Sequence, residues 1–129
     1  MAFGSFEGLT RAVLQKQFPK DYAAWLDNPR DVAPPGGETT QLVADRAMSA
    51  VARIRDRTRR GPVLISSHKT TLRALLCALL GIDLRFFQVR LGQPLGGLSC
   101  VELRRTGPIL TLLGDTSYLP AQLRELEGS

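Results

Sequence analysis

The 129-residue chain has no apolar run approaching the length of a membrane span, and its start, Met1-Ala2-Phe3-Gly4-Ser5, carries no basic leader. A membrane protein is therefore not expected, and the reading is a cytoplasmic one. Cysteine is scarce. Cys77 lies in a leucine-rich run and Cys100 in an apolar strand-like run, so both read as small buried hydrophobes in a reducing compartment rather than as a disulfide. There is no internal repeat and no low-complexity tract. The chain has a single histidine, His68, and neither a cofactor nor a metal is expected.

What is present is a globular composition, 43% hydrophobic and 22% charged. A chain of this length has room for one domain, able to bury roughly two thirds of the surface it would expose unfolded. That domain is expected over residues 1–119, followed by a polar tail over 120–129 with room for one short helix. Seventeen Lys and Arg against 12 Asp and Glu give a formal charge of +5. The sign favours anionic partners without choosing among phosphate esters, nucleic acids and membranes.

Along the chain, Leu9 to Phe18 and Asp21 to Leu26 read as short helices split at Pro19, with Thr10 and Asp21 as caps. Asp27 to Gly37 holds three prolines and two glycines and reads as a surface loop long enough to carry function. Thr39 or Thr40 opens the longest helix, to about Arg60, with Val43, Ala47, Ala50, Val51 and Ile54 on its apolar face. Pro62-Val63-Leu64-Ile65-Ser66 reads as a buried strand of a parallel sheet. His68, Lys69-Thr70-Thr71 and a helix from Leu72 to Leu80, stopped by Gly81, follow it. Ile82 to Pro94 is a connector, and Leu98–Leu103 with Ile109–Leu113 form a hairpin around Arg105-Thr106-Gly107-Pro108. The fold class is α/β, with helices layered on a mixed, mostly parallel sheet.

His68 stands where a strand gives way to a helix. Ligands of open α/β sheets bind outside the carboxyl ends of strands, and a helix N-terminus offers backbone N–H groups to an anion. An imidazole there can hydrogen-bond a phosphoryl oxygen, with Lys69 adding a cation and Thr70 and Thr71 adding hydroxyls. The competing structural role is that His68 caps the helix and meets a backbone carbonyl.

Four motifs in order carry a family resemblance: Phe3-Gly4-Ser5-Phe6-Glu7-Gly8-Leu9-Thr10; Phe18-Pro19 to Trp25 and Pro29; Pro35-Gly36-Gly37-Glu38-Thr39 with Arg46; and Val63-Leu64-Ile65-Ser66-Ser67-His68 to Arg73. Together they resemble the histidine phosphatase superfamily, the phosphoglycerate mutase-like group, from Phe3 to about Leu119. The resemblance implies phosphoryl transfer through a phosphohistidine and a small phosphate ester as substrate. His68 matches the family's second histidine, which helps hold the phosphoryl group. Phe3 and Arg11 fall where relatives place an aromatic and a basic substrate contact. Glu38 borders the mouth of the site, orienting it or receiving a substrate hydroxyl. Lys69 stands where the family often has Gly and adds charge beside the phosphate.

The family's nucleophilic histidine lies in an Arg-His-Gly motif at the end of its first strand, and no such motif occurs here. The resemblance therefore implies the C-terminal part of a family member, with its first strand absent and the fold incomplete. The expected consequences are an inactive chain and marginal stability or closure by another chain, as a homo-oligomer or with a strand-supplying partner.

Several residues have plainer roles. Glu7 is expected to favour a helix dipole, and Glu38 to be a first-turn carboxylate with Arg46 pairing a neighbour on the same face. Arg73 either pairs with an acid under the site or is a surface arginine. Tyr118 stands where the family commonly has histidine. Arg53, Arg55, Arg57, Arg59 and Arg60 invite a nucleic-acid reading, but they are spread around the helix without interleaved aromatics, so a solvated helix end is preferred. The readings left open are an enzyme of this family and a non-catalytic anion-binding domain or inactive fragment.

Overall fold

Capping chemistry fixes where the helices begin. The structure, a computed structural model, describes residues 1–58 and 60–124. Thr10 accepts a hydrogen bond from the Val13 amide at 3.4 Å and opens α1, Arg11–Gln17. Pro19 starts α2, Pro19–Asp27, at a position where its missing N–H costs nothing. Asp21 therefore does not cap α2 as expected, because Pro19 begins the helix two residues earlier. The carboxylate lies in the first turn, still favourable to the dipole.

Thr39 caps α3, Thr40–Arg57, by accepting from the Leu42 amide at 3.2 Å. The helix stops at Arg57, short of the expected Arg60, and Gly61 turns the chain with a φ of +88°. Arg53, Arg55, Arg57 and Arg60 are all exposed, and Arg59 lies outside the described residues. Helix α4, Lys69–Leu80, ends at Gly81, whose left-handed backbone (φ +69°) suits glycine.

The expected connector from Ile82 to Pro94 is instead partly helical. A 3-10 turn, Leu84–Phe86, capped by Asp83, runs into the short helix α5, Phe87–Arg90. Leu84, Phe87 and Leu91 are buried, at the i, i+3, i+7 spacing of one helical face. The hairpin forms as read: β1, Leu98–Arg104, pairs antiparallel with β2, Gly107–Asp115. Its register shifts on either side of Cys100. Cys100, expected to be buried, is exposed at this irregularity, while Cys77 is fully buried in α4. The described part of the tail carries a short helix α6, Ala121–Arg124; residues 125–129 lie outside the description.

Two apolar clusters hold these elements. Val43 and Ala44 of α3 meet Ala74, Leu76 and Cys77 of α4 with Leu84, Phe87 and Leu91, and Val101 and Leu110 of the hairpin pack against them. The second cluster is aromatic: Phe6, Tyr22 and Trp25 enclose Leu14, with ring centroids about 6 Å apart. Met1 packs against both clusters.

The largest departure is at Pro62–Ser66. These residues were expected to be a buried strand, but they form no strand and every residue from 61 to 68 is exposed. The sequence property that suggested burial, three branched or leucine side chains in a row, is correct. No neighbouring strand is present to pair with them: the described sheet consists of β1 and β2 alone.

Candidate phosphate-binding site

The site is built where this unpaired segment enters α4. His68 has extended backbone (φ −96°, ψ 150°) and occupies the N-cap position, yet its side chain makes no capping hydrogen bond. The first intrahelical bond runs from the Leu72 amide to the His68 carbonyl at 2.9 Å. The imidazole is thus not used up as a cap, and it opens onto a cleft of about 300 Å³ lined by Met1, Phe3, His68, Thr70 and Thr71. The positive end of a three-turn helix faces the same space.

Cations surround this end of α4. Burial pulls the Lys69 ammonium below its usual range, and the charges of Arg73 and then Arg11 push it further down. Arg73 and Arg11 thus each lie within electrostatic reach of Lys69. Arg73 is neither of the things expected of it. Burial lowers its affinity for the proton, and among the described residues its Nε is enclosed without a hydrogen-bond partner and no carboxylate forms an ion pair with it. Arg11 heads α1 and is exposed.

The opposite wall is set by a close approach of two backbone segments. Gly4 has a φ of +52°, and a Cβ on it would overlap the Pro35 carbonyl and the Gly36–Gly37 backbone. The contact is closed by hydrogen bonds from Ser5 N to Pro35 O (2.9 Å) and from Glu38 N to Ala2 O (2.9 Å). It carries Phe3, whose ring meets Trp25 edge-on at 6.1 Å, to the cleft facing His68.

Glu38 acts as a strut for this contact. Its carboxylate accepts from the Ala2 amide at 2.7 Å and from both terminal nitrogens of Arg46. The Arg46 hydrogen bond, the Ala2 amide and the Arg46 charge hold it below the usual carboxylate range. It precedes the Thr39 cap, so it is not the first-turn carboxylate expected, and Arg46 pairs with it rather than with a residue of its own helix face. Glu38 does not line the cleft. Glu7 likewise turns back, accepting from the Phe3 amide at 3.1 Å instead of serving a helix dipole. Tyr118 is exposed and donates its hydroxyl proton to the Gly96 carbonyl.

Of the residues singled out in the sequence, the structure brings Phe3 and His68 into one cleft with Thr70 and Thr71. It sets Lys69 beside them on α4 with Arg11 in electrostatic range, and it leaves Glu38 behind the wall. Met1 as a wall and Arg73 as an enclosed cation had no local signal in the sequence. A larger, more open hollow of about 450 Å³ lies at the far end of α4, lined by residues including Arg30, Gln41, Cys77 and Asp83. Its polar rim is already engaged: Arg30 donates to Gln41, and Asp83 pairs with Arg85. It is distant from His68 along the helix and offers less to an anion.

Residues 1–116 match the family model of the histidine phosphatase superfamily (branch 1), and the chain belongs to that superfamily. It is 32% identical over 84 residues to phosphoserine phosphatase 1 of Hydrogenobacter thermophilus, a match covering 65% of this chain and 40% of that protein. Among solved structures, YhfR of Bacillus stearothermophilus superposes with a TM-score of 0.81 at 25% identity, covering 92% of this chain and 59% of that one. The α-ribazole phosphatase of Shigella flexneri gives 0.71 at 25% identity, covering 89% and 56%. The fold is thus the α/β phosphoglycerate mutase-like one, and the chain spans 40–59% of the lengths of these relatives. No helix among the described residues is long and apolar enough to cross a membrane.

Proposed function

We propose that this chain forms the phosphoryl-binding side of a phosphomonoester phosphatase site, with His68 and the start of α4 receiving the phosphoryl oxygens. The observation that carries the reading is the placement of the His68 imidazole, not used as a cap, at a helix N-terminus in a cleft shared with Phe3, Thr70 and Thr71, with Lys69 next to it in sequence at the start of α4. Donors preset around a transferring phosphoryl group are the main resource of such catalysis. Phe3 supplies the wall against which the alcohol portion rests, and Arg11 is the cation nearest the solvent side.

Transfer through a phosphohistidine needs one imidazole to attack phosphorus. The ester P–O bond breaks, the alcohol leaves, and water then cleaves the P–N bond. His68 in the holding role leaves no second histidine among the 129 residues for the attack. The chain by itself accordingly binds phosphate esters without turning them over. Its substrate is a small phosphate ester, in keeping with relatives whose names are phosphoserine phosphatase and α-ribazole phosphatase.

Incubation with p-nitrophenyl phosphate tests the division of roles. The expected result is no release of nitrophenol above buffer, together with saturable binding of inorganic phosphate. Turnover that disappears in His68→Ala would make His68 the nucleophile and overturn the assignment. Absence of phosphate binding would remove the site altogether.

A further inference from the structure

The hollow at the far end of α4 carries charges of both signs, each engaged on one side only. It measures about 450 Å³, a volume usual for small-molecule sites, and Met1 and the 62–67 stretch take no part in its lining. Arg30 donates from Nε to Gln41 Oε1 at 3.2 Å, and Gln41 is itself held by donating from Nε2 to Asp45 at 2.8 Å. Asp31 approaches the same Arg30 nitrogen, at 3.6 Å. The two terminal nitrogens of Arg30 make no hydrogen bond among the described residues, so an oriented guanidinium presents its fork unused.

The opposite charge comes from Asp83 and the end of α4. Arg85 donates to Asp83 from its side chain and its backbone amide and so holds that carboxyl below its usual range; the Arg30 charge lowers it further. Arg30 and Asp83 thus lie within electrostatic reach, yet no ion pair joins them among the described residues. The amides of Gly81 and Ile82 both donate to the Cys77 carbonyl. This leaves the carbonyls of Ala78, Leu79 and Leu80 without a backbone donor among the described residues, at the negative end of the helix. Cys77, Ala78, Ile82 and Leu84 give the hollow an apolar floor.

An anion alone meets Asp83 and the negative end of α4, and a cation alone meets Arg30 and Arg85. A ligand that carries both charges close together on an apolar body answers each of them. We propose that this hollow binds a free α-amino acid with an aliphatic side chain. Its carboxylate takes the Arg30 fork, its ammonium faces Asp83 and the Ala78 carbonyl, and its side chain lies on the apolar floor. The site is separate from the phosphoryl site at His68, and neither requires the other.

L-leucine titrated into the isotopically labelled chain tests this, read at the Gly81 and Ile82 amides and at Arg30 Nε. Isocaproate, which lacks the ammonium, and isoamylamine, which lacks the carboxylate, are the comparison ligands. The expected result is saturable shifts at all three positions with leucine, and binding of each comparison ligand weaker on the order of tenfold, the loss expected for a hydrogen bond to a charged group. Arg30 is exposed, and Arg30→Gln is expected to weaken leucine to the same extent while leaving isoamylamine no weaker. Isocaproate or isoamylamine binding as well as leucine, leucine binding unchanged in Arg30→Gln, or shifts at Thr70 and Thr71 in place of Gly81 and Ile82 would each overturn the proposal.

Discussion

The Glu38 carboxylate engages the Arg46 guanidinium through both of its oxygens, and one of those oxygens also accepts the Ala2 amide at 2.7 Å. The pair couples the first residues of the chain to α3 and so holds Phe3 against the cleft. Glu38→Gln keeps the shape and removes the charge, and it is expected to lower the melting temperature by a few degrees. The pH dependence has a definite sign. Glu38 has a lowered carboxyl affinity for protons when folded, so its contribution is complete above the unfolded value of about 4.3 and is lost as pH falls through the folded value. Thermal melts of wild type and Glu38→Gln should therefore converge below that range and separate above it.

Gly4 and Gly8 both have left-handed backbone, with φ of +52° and +73°, but only Gly4 is enclosed. Gly8→Ala meets no atom and is expected to cost about 1 kcal/mol for the backbone conformation alone. Gly4→Ala adds a collision with the Pro35–Gly37 backbone, which cannot give way as a side-chain end could, and is expected to cost at least about 3 kcal/mol. Urea midpoints of the two variants measure the difference. Equal costs would mean that the contact between the two segments is not formed.

The two thiols should differ in reactivity. Cys77 is fully buried, and burial raises its thiol above the usual range, whereas Cys100 is exposed on β1. An aromatic disulfide reagent should modify Cys100 quickly in the native protein and Cys77 only after denaturant is added. Rapid labelling of Cys77 would contradict the packing of α3 on α4.

Much of this architecture was legible because its signals are local. Thr10 and Thr39 announce their helices, Gly81 ends one, and Arg105-Thr106-Gly107 turns the hairpin, each through chemistry within a few residues. The order of motifs from Phe3 to His68 was enough to point to the histidine phosphatase superfamily. What was not legible depended on partners distant in sequence. The run at Pro62–Ser66 has a strand's composition, but pairing requires a neighbour, and none is present among the described residues. Cys100 was misplaced because the register slip beside it is a property of two strands together. Glu38 and Arg46 were read by helix spacing, while their pairing is set by the Ala2 segment crossing in front of the Thr39 cap. The buried spacing of Leu84, Phe87 and Leu91 was present in the sequence and could have revealed α5.

Lys69 and Arg73 make a prediction about anion binding at high pH. Burial and the nearby guanidiniums of Arg73 and Arg11 lower the Lys69 ammonium below the ordinary lysine value of about 10.4. Phosphate binding should then decline on the alkaline side before that value is reached, as the ammonium loses its proton. Arg73→Gln removes one repulsion and should shift this decline to higher pH while weakening binding at neutral pH. Calorimetric titration across pH checks both parts. A decline that stays in place in Arg73→Gln would separate Arg73 from Lys69.

The most direct test of the phosphoryl-binding assignment is the NMR signal of the single imidazole during titration with inorganic phosphate. His68 is the chain's one histidine, so its ring resonances need no assignment by mutation. The account predicts that these resonances shift saturably with phosphate, with the Thr70 and Thr71 amides following the same curve, and that calorimetric binding falls at least about tenfold in His68→Ala, the loss expected for a hydrogen bond to a charged group. Phosphate that binds equally well to His68→Ala, or that leaves the His68 ring unmoved at saturation, would contradict it.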